Sequence, residues 1–349
     1  MNYILWFDEV SKKDIPLVGG KNANLGEMVQ KTKIPVPFGF AITTKGYDYY
    51  MKENNLNNEI KKILSKLNKK KNLSRTGKKI RELILNGKIP RKLKEEIITS
   101  YEKLSKEYGK SKNVAVAVRS SATAEDLSDA SFAGQQESYL NMKGEKEVLT
   151  AVKKCIASLF TDRAISYRVD KGFDHTTVKL SVGIQILINS ESSGVMFSLD
   201  PDSGHRNFVY INGSWGLGDY IVQGKVNPDG FYVLKQTMSI ISKTLGAKKT
   251  MEIRTKKGVM GRKTPKKMRE KFCLKDNEVL KLAEYCIDIE KYYKKPMDIE
   301  WAKDKNGKIY IIQARPETIY ASKPLDVIKD YVLKGHGKIL VKGQSIGNK

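Results

Sequence analysis

The chain has 349 residues, 40% of them hydrophobic and 30% charged, so it can bury a sizeable core in two domains or in one large lobed domain, and it is too apolar to be mainly disordered. Its apolar runs, such as residues 182–188 with Gly183 and Gln185 inside, fall far short of the ~20 residues a spanning helix needs, residues 1–7 do not read as a secretory leader, and three cysteines without a Cys-x-x-Cys pair predict neither a disulfide framework nor a zinc site, but a reducing cytoplasm. The net charge of +25 comes from 64 cations of which 53 are Lys; scarce guanidinium argues against a nucleic-acid reader, and the excess reads as a solvated surface that also attracts polyphosphate ligands.

Residues 2–7 predict a short strand, and residues 21–30 a helix after the Gly19-Gly20 break. A turn at residues 36–40 leads to a strand at 41–43, and residues 45–108 are helical, with loops near 69–76 and 87–90. Val114, Val116 and Val118 alternate with Ala115 and Ala117, the period of a buried strand, which ends at Arg119. Small and acidic residues at 122–134 follow, and one helix fits residues 145–171. Strands are expected at 178–188, 194–198 and 207–211, then a functional loop with five glycines at 213–230, then a strand at 231–234. Residues 248–271 are basic and weakly patterned, and Asp276 can cap a helix to about Tyr293.

The strongest local signal lies at residues 296–315. Two strand-like runs flank Asn306-Gly307, the signature of a two-residue type I′ hairpin. That turn sets Lys305 opposite Lys308, Trp301 opposite Ile312 and Ile299 opposite Ala314. On the other face it sets Glu300 opposite Gln313 and Asp298 opposite Arg315. Carboxylate and amide oxygens suit Mg²⁺, and Arg suits phosphate. A solvated face with one ion pair and one polar pair has the same pattern, and a bulge would break the register.

Elsewhere, Gly19-Gly20-Lys21 before a helix can place N–H groups and an ammonium near phosphate, though it is no Walker loop and reads equally as a plain turn. Arg119 at a strand end fits either a ligand contact or a structural ion pair. Residues 131–136 fit a flap over phosphates or an ordinary loop. His175, His205 and His336 have no ligand spacing, and Cys155 and Cys286 fall on apolar helix faces as core residues.

In this order the segments resemble the nucleotide-binding part of the phosphoenolpyruvate synthase and pyruvate phosphate dikinase family, which also includes rifampicin phosphotransferases and glucan water dikinases. The resemblance runs over about residues 2–320. It rests on residues 18–28, 36–40, 118–126, 129–136, 158–168, 193–198, 213–218, 222–229, 296–301 and 313–317. The segments 216–218, 223–229 and 297–301 bring it closest to the synthases.

The resemblance implies an α+β, ATP-grasp-like fold of two lobes closing on ATP: residues 1–190, residues 191–320, and a linker with the start of a phosphohistidine swivelling domain at 321–349. It implies Mg²⁺ on Glu300 and Gln313, Arg315 on the transferring phosphate, and Lys21 and Arg119 on phosphates. Gly134 and Ser138 would lie in the covering loop, with Gln185 and Leu187 flanking adenine. Arg315, Arg119 and Lys21 would be the catalytic set. The implied reaction converts ATP, pyruvate and water to AMP, phosphoenolpyruvate and phosphate through a phosphohistidine. No Thr-x-His-Ala-Ala-like segment and no pyruvate-binding barrel follow in these 349 residues, so both are expected on a separate chain or a missing C-terminal part. A related dikinase, an antibiotic phosphotransferase and a non-catalytic ATP-binding subunit remain as alternatives. No membrane and no nucleic-acid partner are expected.

Overall fold

In the computed structural model, the described residues are 2–320 apart from 70, 110, 124, 125, 128, 129, 132–136, 176 and 257. Gly134, most of the expected flap, His336 and the expected swivelling-domain start therefore lie outside the described residues. The chain is a mixed α+β protein that divides into two units. The first comprises Met1–Asn189, Arg254–Met260 and Tyr310–Gln313; the second comprises Ser190–Ile253, Gly261–Ile309 and Ala314–Lys349.

The first unit begins with β1 (Ile4–Trp6), α1 (Ile15–Lys31) and β2 (Gly39–Ile42). The helical stretch resolves into α2 (Thr44–Glu53), α3 (Leu56–Leu64), α4 (Leu73–Asn86) and α5 (Arg91–Lys103); the break at 87–90 is as expected, the Lys-rich one comes earlier, at 65–72, and one at Asn54-Asn55 was not expected. β3 (Val116–Ala122), β4 (Asp126–Leu127), β5 (Ala130–Ser131) and β6 (Ser138–Met142) follow, then α6 (Gly144–Ser158), α7 (Asp162–Lys171) and β7 (Leu180–Ile186). Five of these strands form an antiparallel sheet in the order β1-β2-β7-β3-β6.

The period of two explains this sheet. Val116, Val118, Val182, Ile184, Phe40 and Ile42 enter a core with Ile80, Ile84, Ile97, Tyr101 and Cys155 from the helices. The other face is small and polar: Ala117 lies opposite Gln185, Arg119 opposite Gly183 and Ser121 opposite Ser181. α1 meets this face at a kink. Gly19 has φ +70°, and a Cβ there would stand 2.3 Å from the Ser121 hydroxyl, so only glycine fits.

The single helix expected at 145–171 is two. Thr161 caps α7 by accepting from the Ala164 N–H at 3.3 Å, and such a cap starts a new helix. Buried Arg168 fastens the break: its guanidinium donates to the Leu159 carbonyl and, through Nε, to His175 Nδ1 at 2.9 Å. His175, half-buried in a turn, is thus a structural acceptor. Burial, together with the Arg168 cation, pushes it down to about 4. Its folded pKa lies below the unfolded value, so the stability it contributes is present above about pH 6.5 and fades as pH falls toward 4. Melting temperatures of the chain and of His175→Gln are expected to converge over that window; parallel curves would contradict this role.

The second unit holds β8 (Ser190–Phe197), β9 (Phe208–Trp215), α8 (Asp219–Val222), β10 (Asp229–Leu234), β11 (Ser239–Thr244), β12 (Thr250–Thr255), β13 (Gly258–Lys263), α9 (Lys266–Arg269), α10 (Asp276–Tyr293), β14 (Met297–Asp304) and β15 (Ile309–Pro316), although the tip of the β12–β13 hairpin and the middle of β15 group with the first unit. The sheet order is β11-β10-β9-β8-β14-β15. Met196, Ile211, Phe231, Ile299 and Trp301 are buried, as are Val279, Leu282, Cys286 and Ile289 of α10. α10 starts at Asp276; the cap is formed by Glu278 accepting from the Lys275 N–H at 2.8 Å. The five-glycine segment is not all loop, because β9 runs to Trp215.

The hairpin tip differs from expectation. The Gly307 N–H donates to the Asp304 carbonyl and the Asp304 N–H to the Lys308 carbonyl, each at 3.0 Å. Gly307 has φ +82°, whereas Asn306 has no positive φ. The loop therefore has three residues ending in a left-handed glycine, not a type I′ pair. The Asp304 carboxylate selects it by accepting from the Asn306 and Lys308 N–H groups at 2.9 Å. Lys308 thus faces Asp304 rather than Lys305.

Candidate functional site

In the first unit the polar sheet face gathers several of the expected residues. Arg119 on β3 lies directly opposite Ser138 on β6, close enough for neighbouring side chains to share one ligand. The Arg119 guanidinium also donates to the Ile312 carbonyl at 3.1 Å, beside Gln313. Lys21 follows the α1 kink, half-buried, and the next N–H, from Asn22, points to the Ser121 hydroxyl at 3.4 Å. Lys21, Arg119, Ser138 and Gln313 thus belong to one unit, and the kink glycine and the β3 register position the first three.

Gln185 is buried on β7, its amide donating to the Pro37 carbonyl at 3.0 Å. The Leu187 N–H donates to the Ala115 carbonyl at 2.9 Å, and the Leu187 carbonyl accepts from the Arg254 guanidinium at 3.3 Å.

In the second unit, Arg315 donates through Nε and Nη2 to one Asp298 oxygen at 2.9 and 2.8 Å. This is the contact expected from the hairpin. Glu300 sits two residues along β14, opposite Val195 of β8, on the sheet face that Asp298 shares. Burial, with Glu300 and Glu317 nearby, pushes the Asp298 carboxyl up, and the Arg315 guanidinium opposes this without cancelling it. Among the described residues no group of three or more His, Cys, Asp or Glu is placed to hold a metal ion. A carboxylate with an amide suits a hard cation that takes its remaining oxygens from phosphate and water.

Residues 15–333 match the family model described as pyruvate phosphate dikinase, AMP/ATP-binding domain. The chain belongs to this family. Among its curated relatives, phosphoenolpyruvate synthase of Aquifex aeolicus is 46% identical over 372 residues, with 99% of this chain and 43% of the relative aligned. The phosphoenolpyruvate synthase of Escherichia coli is 43% identical, with 99% and 45% covered. The probable phosphoenolpyruvate synthase of Methanocaldococcus jannaschii is 45% identical, with 98% and 29% covered. The chain spans less than half the length of these relatives. In this dikinase-family domain no helix among the described residues is long and apolar enough to cross a membrane.

Sequence reasoning missed two features beside these residues. One is Arg254, hidden in the basic segment that turns out to be the β12–β13 hairpin. The other is Asp229, grouped by resemblance with a glycine-rich motif but buried as a scaffold: it accepts from the N–H groups of Gly246 and Cys273 at 2.8 Å and pairs with buried Lys248. An aspartate at a strand start, followed nineteen positions later by a Lys in a basic segment, carries no local signal of such a pairing.

Proposed function

We propose that this chain is the ATP-binding part of a phosphoenolpyruvate synthase. It would bind Mg·ATP and donate a pyrophosphoryl group to a histidine on a domain beyond it or on a separate chain, with AMP leaving. The observation that carries this reading is the Asp298–Arg315 pair on the strands that also bear Glu300 and Gln313. The proposed architecture is ATP-grasp-like, with residues 1–190 and 191–320 as lobes and 321–349 as linker. The three buried free thiols support a reducing, cytoplasmic setting.

Phosphoryl transfer needs positioning and charge neutralisation more than a protein nucleophile. Glu300 and Gln313 would hold Mg²⁺, which would supply neutralisation of the phosphate charge when bound. Asp298 fixes the Arg315 fork, and Arg315 would meet the transferring phosphate. Arg119 and Lys21 carry the other phosphate charges, with Gly134 and Ser138 in the cover. Gln185 and Leu187 line the base.

Calorimetric titration with a non-hydrolysable ATP analogue is expected to show binding that requires Mg²⁺ and is lost in Glu300→Gln. Mg²⁺-independent binding unchanged by that substitution would overturn the metal assignment. Binding of no nucleotide at all would overturn the function.

A further inference from the structure

The tip of the β12–β13 hairpin, Arg254–Met260, groups with the first unit. Asn141, buried and left-handed with φ +62°, donates from its amide to the Thr255 carbonyl at 2.9 Å and to the Gly258 carbonyl at 2.7 Å. Thr255 closes the same turn by donating from its hydroxyl to the Gly258 carbonyl at 3.0 Å. This clasp fixes the neighbouring residue, Arg254, against the end of β7, where its Nη1 donates to the Leu187 carbonyl.

Arg254 is half-buried, and among the described residues it has no carboxylate partner. Burial lowers its pKa with no acid to offset the effect. A guanidinium carries five donors, of which this contact uses one. Withdrawing such a cation from water without a counter-charge is unfavourable, whereas a ligand offering acceptor atoms would relieve it. Arg254 stands beside Leu187, one of the residues proposed above to line the base.

We propose that Arg254 is a nucleobase-recognition residue, holding the Leu187 carbonyl with one N–H and offering its others to the ring nitrogens of the bound purine. The proposal rests on the ATP-binding reading above. Asn141 is then a positioning residue, acting only through the hairpin that carries Arg254.

The test uses the full 349-residue chain with Mg²⁺, and compares a non-hydrolysable ATP analogue with inorganic tripolyphosphate, which has no base. Arg254→Met keeps an apolar stem and removes the donors. It is expected to weaken the nucleotide by about tenfold to a hundredfold, the scale of one charge-assisted hydrogen bond, and to leave tripolyphosphate within about twofold. Arg254→Lys, which keeps the charge but not the fork, should fall between. An unchanged melting temperature separates this from a folding defect, and should Arg254→Met unfold, Asn141→Ala with an intact melt is expected to weaken only the nucleotide. Equal weakening of both ligands would place Arg254 on phosphate and overturn the proposal, as would nucleotide affinity within about twofold of the unsubstituted chain. If the unsubstituted chain binds tripolyphosphate but no better with a base attached, the base assignment fails while phosphate binding stands. If it binds neither, the functional reading itself fails.

Discussion

Arg315→Ala is expected to lower phosphoryl transfer from ATP to a supplied histidine-bearing domain by about a thousandfold, with the fold intact. Arginine that offsets developing charge on a transferring phosphoryl group is worth about 10³–10⁵ in rate. Here the guanidinium is already oriented, because two of its nitrogens are bonded to one oxygen of Asp298. Truncation removes the charge and also leaves the Asp298 carboxylate, which burial already disfavours, without its cation. Asp298→Asn should cost less, about tenfold to a hundredfold, because it loosens Arg315 without deleting it. The check is single-turnover transfer of labelled phosphate. Wild-type rates in Arg315→Ala would remove this residue from the mechanism, and a larger loss in Asp298→Asn than in Arg315→Ala would reverse their roles.

Asp229→Asn is expected to destabilise the second unit by about 3–5 kcal/mol, the usual cost of leaving one partner of a buried ion pair uncompensated. Asp229 and Lys248 are both fully buried. Three donors converge on the one carboxylate: Lys248 Nζ and the N–H groups of Gly246 and Cys273. Neutralising it strands the ammonium, whose other contact is the Gly246 carbonyl at 3.0 Å. Lys248 also adopts φ +40°, so the pair fixes an unusual backbone as well as a charge. Lys248→Met should be destabilising too, and the double variant less so than the two single losses added together. Urea midpoints provide the measurement; single-variant losses below about 1 kcal/mol, or strict additivity, would contradict this account.

What could be read before the structure follows from how local each signal is. Val/Ala alternation at residues 114–118 marks β3, and the break at 87–90 separates α4 from α5, because burial period and backbone freedom act within a few residues. The Asp298–Arg315 contact was legible because a hairpin brings its own strands together. Its tip was misjudged because the Asp304 side chain, not the Asn-Gly pair alone, sets the loop length. The break between α6 and α7 depended on a Thr161 cap inside an otherwise continuous apolar pattern. β11 to β13 escaped notice because β11 and β13 are largely exposed, leaving no alternating apolar face to read. The pairing of Arg119 with Ser138 depends on a register shift within the β3–β6 ladder, and the Asp229–Lys248 pair on tertiary packing. Neither has a sequence period.

Glu300, Gln313, Arg315, Arg119 and Lys21 are the residues proposed above to bind Mg·ATP. A crystal structure of the chain soaked with Mg²⁺ and a non-hydrolysable ATP analogue tests this assignment most directly. The expected result is a metal ion about 2.1 Å from oxygens of Glu300 and Gln313, with the Arg315 guanidinium on a phosphate oxygen. A triphosphate bound away from these side chains would contradict it.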